Sequence, residues 1–266
     1  MTRPTSLPPS ILLEPVRRAE AGSWLIELLP GAAYQARYIA PQASIGFAFD
    51  GQRGLHAIGS DRIRPFEATA NALAFIPRGC DVFSTSPRGG EYLRVIRTDD
   101  TPLVGDGPFN NLIDPQAIAL AQRMRAALLR GTGAEDWEDW AQTLAQRIQR
   151  AAKPLPSPTG SMTAKRLRLL DEFIDAGLEG PLSVRSMAQL VGLSEGFFIR
   201  AFKQAVGRSP HSYLIDRRLA RARNLLRNPA QHLPDIALAC GFASQAHMAT
   251  AFRQRLGLSP SDMRKR

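Results

Sequence analysis

Apolar and polar positions alternate in short runs over the first part of the chain. Runs of four to six mostly apolar residues end at turn-forming residues such as Gly, Pro and Asp, and they lie at 24–29, 45–49, 72–76 and 92–96. Short runs with this punctuation are typical of strands in an all-β sandwich or barrel. We therefore predict a β-rich region from about residue 24 to residue 97.

The spacing of apolar residues becomes helical after Asp114. Pro115 fits the first helical position behind an N-cap at Asp114. One apolar stripe runs to Leu129, glycines break it at 131–133, and a second stripe runs from Trp137 to Ile148. This pattern predicts a helical hairpin at about 115–150. Its stripes must be buried against the β-rich part or against a second subunit, and the second alternative is our reason to expect a homodimer.

A proline-rich segment separates the two halves. Three prolines occur within five residues of the stretch 153–161, and such a stretch favours an extended spacer over a helix. We predict an N-terminal domain over 1–152, a linker over 153–161 and an almost wholly helical domain over 162–266. The fold class is therefore α+β.

The helical half contains an internal repeat with a period of about 50 residues. Two pairs of identical residues lie 49 apart: Ala188 with Ala237, and Gly192 with Gly241. Three later pairs lie 50 apart: Phe202 with Phe252, Gly207 with Gly257, and Pro210 with Pro260. The second copy therefore has one extra residue near its turn.

Each copy has the pattern of a helix-turn-helix unit. A short helix ends at Gly192 or Gly241, where a left-handed backbone favours glycine. Ser194 or Ser244 then caps a second helix, predicted over 195–206 or 245–256. A helix over 212–227 joins the units and would measure about 24 Å, which suits two recognition helices placed in successive major grooves about 34 Å apart.

These motifs resemble the DNA-binding domain of the AraC/XylS family over residues 163–266. The resemblance is carried by Asp235-Ile236-Ala237, Gly241-Phe242, Phe252-Arg253 and Ser259-Pro260, and by Tyr213-Leu214 and Arg218-Leu219 in the connecting helix. It implies a transcription regulator that binds promoter DNA and contacts RNA polymerase, as an activator in many family members, although the sequence leaves activation and repression both open. The N-terminal half loosely resembles the cupin-like sensor part of that family, which implies a small-molecule effector.

The resemblance also implies which residues contact DNA. They form the exposed faces of the two second helices, and they are Ser194, Glu195, Gly196, Ile199, Arg200, Lys203, Ser244, Gln245, Ala246, Ala249, Thr250 and Arg253. Arg200 is suited to bidentate hydrogen bonding with guanine, and Gln245 to adenine. Lys203 and Arg253 are expected at phosphates. Family members often carry Arg at the position of Thr250, so we expect weaker base reading by the second helix.

The charge distribution agrees with a polyanionic partner for the second half. Residues 1–159 hold 17 Lys and Arg against 16 Asp and Glu, whereas residues 160–266 hold 17 against 8. Clustered cations gain free energy by releasing counterions from phosphates. The N-terminal sequence has no signal-peptide core and no apolar run of membrane-spanning length, so we expect a cytoplasmic protein with no membrane contact.

Two other functions are compatible with parts of this sequence. A cupin-type metal enzyme needs several histidines and a carboxylate, whereas His56 is the single histidine of the β-rich half; we therefore expect no catalytic residues, no metal and no cofactor. Cys80 and Cys240 lack the spacing of a zinc site or disulfide framework. The remaining alternative is a regulator without a small ligand, whose N-terminal half makes only protein contacts.

Overall fold

The computed structural model describes residues 13–103, 107–131, 136–151 and 162–265. Ten strands are followed by nine helices in these residues, so the predicted α+β class is confirmed. The chain divides into two compact units. One comprises Met1–Leu112 and Trp137–Ala152, and the other comprises Ile113–Asp136 and Lys153–Arg266. The proposed linker over 153–161 lies outside the described residues.

The first unit consists of two antiparallel sheets. Its strands are β1 (Arg17–Ala21), β2 (Trp24–Leu29), β3 (Tyr34–Ile39), β4 (Ser44–Ala48), β5 (Gln52–Ile58), β6 (Arg64–Ala68), β7 (Ala72–Ile76), β8 (Asp81–Ser86), β9 (Tyr92–Arg97) and β10 (Phe109–Leu112). The larger sheet has the order β1-β2-β9-β4-β7-β10 and the smaller has the order β3-β8-β5-β6. The four apolar runs identified in the sequence are strands β2, β4, β7 and β9.

All four of these strands belong to the larger sheet, which supplies much of the buried core of this unit. Ile26, Phe47, Phe75 and Leu93 are at most 1% exposed. Gly46 on β4 is a glycine because the ring of Tyr92 passes directly over it, and any Cβ there would overlap the phenol. Helix α2 (Trp137–Ala151) packs against β1 and β2. It buries Trp137, the first residue of the second apolar stripe in the sequence.

The second unit is helical. It contains α1 (Pro115–Arg130), α3 (Ala164–Gly177), α4 (Val184–Leu190), α5 (Glu195–Val206), α6 (Pro210–Leu226), α7 (Leu233–Ala239), α8 (Gln245–Leu256) and α9 (Pro260–Arg264). Asp114 caps α1 as expected, since its side chain accepts hydrogen bonds from the backbone N–H groups of Gln116 and Ala117.

The structure divides the two hairpin helices between the units, whereas the sequence analysis placed both in the N-terminal domain. Helix α1 packs on α8 of the second unit, and α2 packs on the sheet of the first. The cause is that both stripes find long-range partners, which periodicity alone does not identify. Both stripes are buried within a single chain, as Met124 and Leu144 show, so they are not evidence for a dimer.

Two further observations concern membranes and thiols. No helix in the described part of the chain is both long and apolar enough to span a bilayer. Cys240 is buried and Cys80 is half-buried, and both are free thiols. Burial raises the pKa of the Cys240 thiol to about 11, which keeps it protonated at neutral pH.

Candidate nucleic-acid interface

The first helix-turn-helix unit is formed by α4 and α5. Ser183 and Ser186 form a capping box at the start of α4. The turn between the helices passes through Gly192, whose φ of 66° is left-handed. On α5, Phe198 and Phe202 are fully buried, and their rings lie 5.5 Å apart. The buried face orients the helix and leaves its opposite face exposed.

The second unit repeats this arrangement with α7 and α8. Gly241 has a φ of 74°, and Met248 and Phe252 take the buried positions of Phe198 and Phe202. Helix α7 begins 49 residues after α4, whereas α8 begins 50 residues after α5. The extra residue of the second copy is therefore in the turn, as the sequence repeat predicted.

The structure places the residues predicted to contact DNA on the exposed faces of α5 and α8. Glu195, Gly196, Ile199, Arg200 and Lys203 are exposed on α5, and Gln245, Ala246, Thr250 and Arg253 are exposed on α8. Ala249 is half-buried, and Ser194 and Ser244 are exposed at the helix starts. Each set lies on one side of its helix, because the buried side contains the aromatic core.

The two serines at the helix starts do not behave alike. Ser244 accepts a hydrogen bond from the backbone N–H of His247 at 3.1 Å, as a capping residue should. Ser194 holds the equivalent backbone position but makes no side-chain capping hydrogen bond. The expectation that Ser194 caps α5 through its side chain was therefore wrong. The backbone angles do not explain the difference, since Ser209 has nearly the same φ as Ser194 (−66° against −67°) and its side chain does cap α6.

Most of the connecting helix's arginines that the structure places have partners within the domain. Arg217 pairs with Asp175, and Arg221 pairs with Glu179. Arg218 is 9% exposed and donates a hydrogen bond to the carbonyl oxygen of Gly180 at 3.0 Å, so its role is structural. Asp175 and Glu179 thus neutralise two of the arginines of α6, which lowers the free positive charge of this helix.

One exposed residue of α5 was missed by the sequence analysis. Phe197 is 43% exposed although it is a large aromatic side chain. It lies beside Gly196 on the helix whose opposite face contains Phe198 and Phe202. Phe198 and Phe202 have the i, i+4 spacing of buried helix residues, and Phe197 falls outside that spacing. The periodicity of α5 could therefore have identified Phe197 as an exposed residue.

The first unit contains a cavity of about 680 Å³ between its sheets. Such a volume suits a small organic ligand. Tyr34, Tyr38 and Tyr92 contribute phenols to its lining, and burial is the main cause that raises the pKa of each. Arg94 also lines it and pairs with Glu27 at 2.6 Å. The cavity wall therefore contains groups able to donate hydrogen bonds beside apolar side chains such as Leu73 and Phe109.

The histidine of this unit lies in the cavity wall. His56 stacks on Phe66 with a ring-centroid distance of 4.9 Å, and burial followed by the charge of Arg64 lowers its pKa. Among the described residues, no group of three His, Cys, Asp or Glu side chains is placed to hold a metal ion.

Comparison with known proteins agrees with this geometry. A family model described as a helix-turn-helix domain matches residues 187–266. The chain is 31% identical over 147 residues to the HTH-type transcriptional regulator ArgR of Pseudomonas aeruginosa, covering 55% of this chain and 44% of that protein. It is 40% identical over 100 residues to the HTH-type transcriptional activator RhaS of Citrobacter koseri, covering 38% and 36% respectively. The chain thus spans less than half the length of these two curated relatives.

Among solved structures, a transcriptional regulator with an AraC-type DNA-binding domain from Chromobacterium violaceum is 33% identical, covering 40% of this chain and 95% of that chain with a TM-score of 0.37. Two helix-turn-helix units in tandem define a DNA-binding module. The C-terminal part of this chain is an AraC-type helix-turn-helix domain, and the resemblance drawn from the sequence is confirmed.

Proposed function

We propose that the chain is a sequence-specific transcription regulator that reads promoter DNA with α5 and α8. The observation that carries this proposal is the repeated geometry of the two units. Each recognition helix buries an aromatic and aliphatic face and exposes a polar face at equivalent positions 50 residues apart. Paired units of this kind are suited to neighbouring major grooves.

The exposed side chains suggest a division of roles. Arg200 has five N–H donors and suits bidentate contact with the O6 and N7 atoms of guanine, and Ile199 suits a thymine methyl group. Gln245 suits adenine, whereas Thr250 and Ala249 offer little direct readout. We therefore propose that α5 carries most of the base specificity and that α8 mainly sets the register through Arg253 and the helix start.

Selection of bound duplexes from a random pool by the full chain tests this function. We expect a site with two conserved segments whose centres are about 10 base pairs apart, because one turn of DNA separates adjacent major grooves. Enrichment of a single short segment would contradict the use of both helices. Failure to enrich any sequence, while salt-sensitive binding persists, would mean that the chain binds DNA without sequence specificity.

We propose further that the cavity of the first unit binds a small effector. The support is its volume, its lining of tyrosine phenols and the half-buried guanidinium of Arg94. These groups suit an organic molecule with hydrogen-bond acceptors rather than a purely apolar one. The alternative, a regulator without a small ligand, is favoured by no particular feature of this wall.

Tryptophan fluorescence tests the effector proposal because all three tryptophans, Trp24, Trp137 and Trp140, belong to the first unit. A library of small organic molecules is titrated into wild type and into Tyr92→Phe, whose phenol oxygen is removed. A saturable change that weakens in Tyr92→Phe and alters DNA affinity establishes an effector. Saturable binding with no change in DNA affinity would contradict a regulatory role.

The remaining expectations of the sequence analysis stay proposals. They are a homodimer, contact with RNA polymerase, activation of transcription, action in the cytoplasm, and the absence of enzymatic activity. Sedimentation equilibrium of the full chain decides the first of these. Stoichiometric iron or manganese in the purified protein would revive the metal-enzyme alternative.

A further inference from the structure

Helix α1 contacts the C-terminal ends of both recognition helices. Gly207 ends α5 and Gly257 ends α8, with φ values of 73° and 72°. A Cβ on Gly207 would overlap the Cδ1 atom of Ile118, in the first turns of α1. A Cβ on Gly257 would lie 2.7 Å from Nη1 of Arg130, the last residue of α1. The same helix therefore touches two equivalent positions that lie 50 residues apart in the sequence.

The length of α1 determines how far apart these two contacts lie. Ile118 and Arg130 are separated by twelve residues, which correspond to about 18 Å along a helix. Ile118 is 5% exposed, and Gly207 closes α5 by donating its N–H to the Lys203 carbonyl at 2.8 Å. An α-helix keeps its length because its backbone hydrogen bonds are internal, so two fixed contacts on it define a fixed separation.

A cluster of charges lies beside these contacts. Arg208, directly after Gly207, pairs with Asp216 at 2.8 Å, and Arg255 of α8 donates to Ser212 at 3.2 Å. The pKa of Arg208 is lowered first by burial and further by Arg255 and by Arg125 of α1, while Asp216 opposes this. Arg125 is 3% exposed. Residues of α1, α6 and α8 therefore meet at the base of both recognition helices.

Two residues join strand β10 to helix α1 along the chain, and the first of them reaches α5. Phe109, Asn110 and Asn111 of β10 line the cavity, and β10 ends at Leu112. Ile113 follows, and its Cγ2 atom would lie 3.2 Å from a Cβ on Gly207. Asp114 then caps α1. The side chains of Ile113 and Ile118 therefore both lie against Gly207 at the end of α5.

We infer that α1 is a positioning element that sets the separation of the two recognition helices. The helix acts on DNA only through α5 and α8, and none of its residues is assigned a contact with bases or phosphates. The inference goes beyond the proposed function, because it concerns how the two reading helices are held apart.

A distance measurement tests this inference without DNA. Spin labels are placed at Gln204→Cys and Gln254→Cys, two exposed and equivalent positions of α5 and α8, in a Cys80→Ser background. We expect one narrow distance distribution for the parent chain. Ile118→Ala or Arg130→Ala should broaden it or shift its mean by about 1–2 Å, a size typical of helix displacements in regulated proteins.

Leu120→Ala is the matched control. Leu120 is also buried on α1, but it points about 200° away from Ile118. A similar loss of stability is expected, followed by circular dichroism, with the label distances unchanged. Unchanged distances in both Ile118→Ala and Arg130→Ala, or the same change in Leu120→Ala, would overturn the positioning role.

A second arm uses the duplex selected by wild type and a version with one base pair inserted between the two conserved segments. The insertion adds about 3.4 Å and about 35° of rotation. We expect wild type to discriminate between the duplexes and Ile118→Ala to lose at least about threefold of this discrimination, with Leu120→Ala unaffected. A wild type that binds both duplexes equally contradicts the proposed two-groove function, and the label distances then decide the role of α1 independently.

Discussion

The hydroxyl of Tyr213 on α6 donates a hydrogen bond of 2.8 Å to Oδ1 of Asp171 on α3. The same offset of 42 residues recurs one and two helical turns later, where Arg217 pairs with Asp175 and Arg221 pairs with Glu179. The three contacts advance in the same direction along both segments. They therefore hold α3 along the connecting helix, and the first of them is the most buried.

Tyr213→Phe tests the first of these contacts. Tyr213 is 3% exposed, and a hydrogen bond to a charged group contributes more than one between neutral groups. We expect the free energy of unfolding to fall by about 1–2 kcal/mol, measured by urea denaturation. Arg221→Ala is the comparison, because its pair with Glu179 is solvent-exposed and should contribute about 0–1 kcal/mol. A larger loss in Arg221→Ala would contradict this ranking.

The two turn glycines should respond differently to alanine. Both have left-handed φ values, for which a Cβ costs about 1–2 kcal/mol. Nothing lies within 4 Å of a Cβ on Gly192, whereas one on Gly241 would overlap the Leu178 carbonyl oxygen and lie 2.8 Å from Nε of Arg218. Gly192→Ala should therefore cost only the backbone strain, and Gly241→Ala about 3 kcal/mol or more once overpacking is added. If thermal unfolding shows equal losses of stability for the two variants, the turn at Gly241 relaxes enough to remove the overlap.

Arg200→Ala tests base reading by α5. The guanidinium is exposed on the helix face opposite Phe198, and loss of a bidentate contact should cost about 1–3 kcal/mol at the selected site and relax one base preference. Binding is measured on the selected duplex and on duplexes substituted at each position. If affinity for all of these duplexes falls by the same factor, Arg200 has a phosphate role instead.

Lys203→Ala provides the contrasting case one helical turn away. Its ammonium group is assigned to a phosphate, so affinity should fall uniformly across duplexes and the slope of log K against log salt should fall by about one. Fluorescence anisotropy at several salt concentrations measures this slope. A change in sequence preference would show that Lys203 reads a base.

The stability of the first unit should decrease in mild acid because of His56. Burial and Arg64 lower its pKa below the ordinary value of 6.5, so near and below that pH the unfolded chain binds more protons than the folded one. The free energy of unfolding is therefore greatest above pH 6.5 and falls as the pH drops from 6.5 to the lowered pKa, below which both states carry the proton. Tryptophan fluorescence during urea unfolding at several pH values measures this loss, and His56→Gln should reduce it. His211→Gln, an exposed histidine of the second unit, should not.

The recognition helices were predicted to the residue because their ends have strong local signals. Gly207 and Gly257 end α5 and α8, and Ser194 and Ser244 precede them. The connecting helix begins at Pro210 behind its cap Ser209, two residues earlier than predicted, although this Ser-Pro pair was visible in the sequence. Local chemistry therefore locates helices well, and the errors are confined to one or two residues at their ends.

The features that sequence analysis missed depend on long-range contacts. The pairing order of the strands, the cavity, and the packing of α1 on α8 are set by which surfaces meet, and several surfaces of similar apolarity were available. The arginines of α6 carry no local signal of their partners 42 residues earlier. Ser194 is a further miss, because its residue type favours a capping hydrogen bond that its side chain does not make.

The contacts between α3 and α6 define how the DNA-binding region can be excised. The helix-turn-helix match begins at residue 187, yet Asp171, Asp175 and Glu179 precede it. A fragment that starts at residue 187 would leave Arg217 and Arg221 without counterions and Tyr213 without its acceptor. The minimal autonomous fragment must therefore begin no later than Thr163, the residue that caps α3.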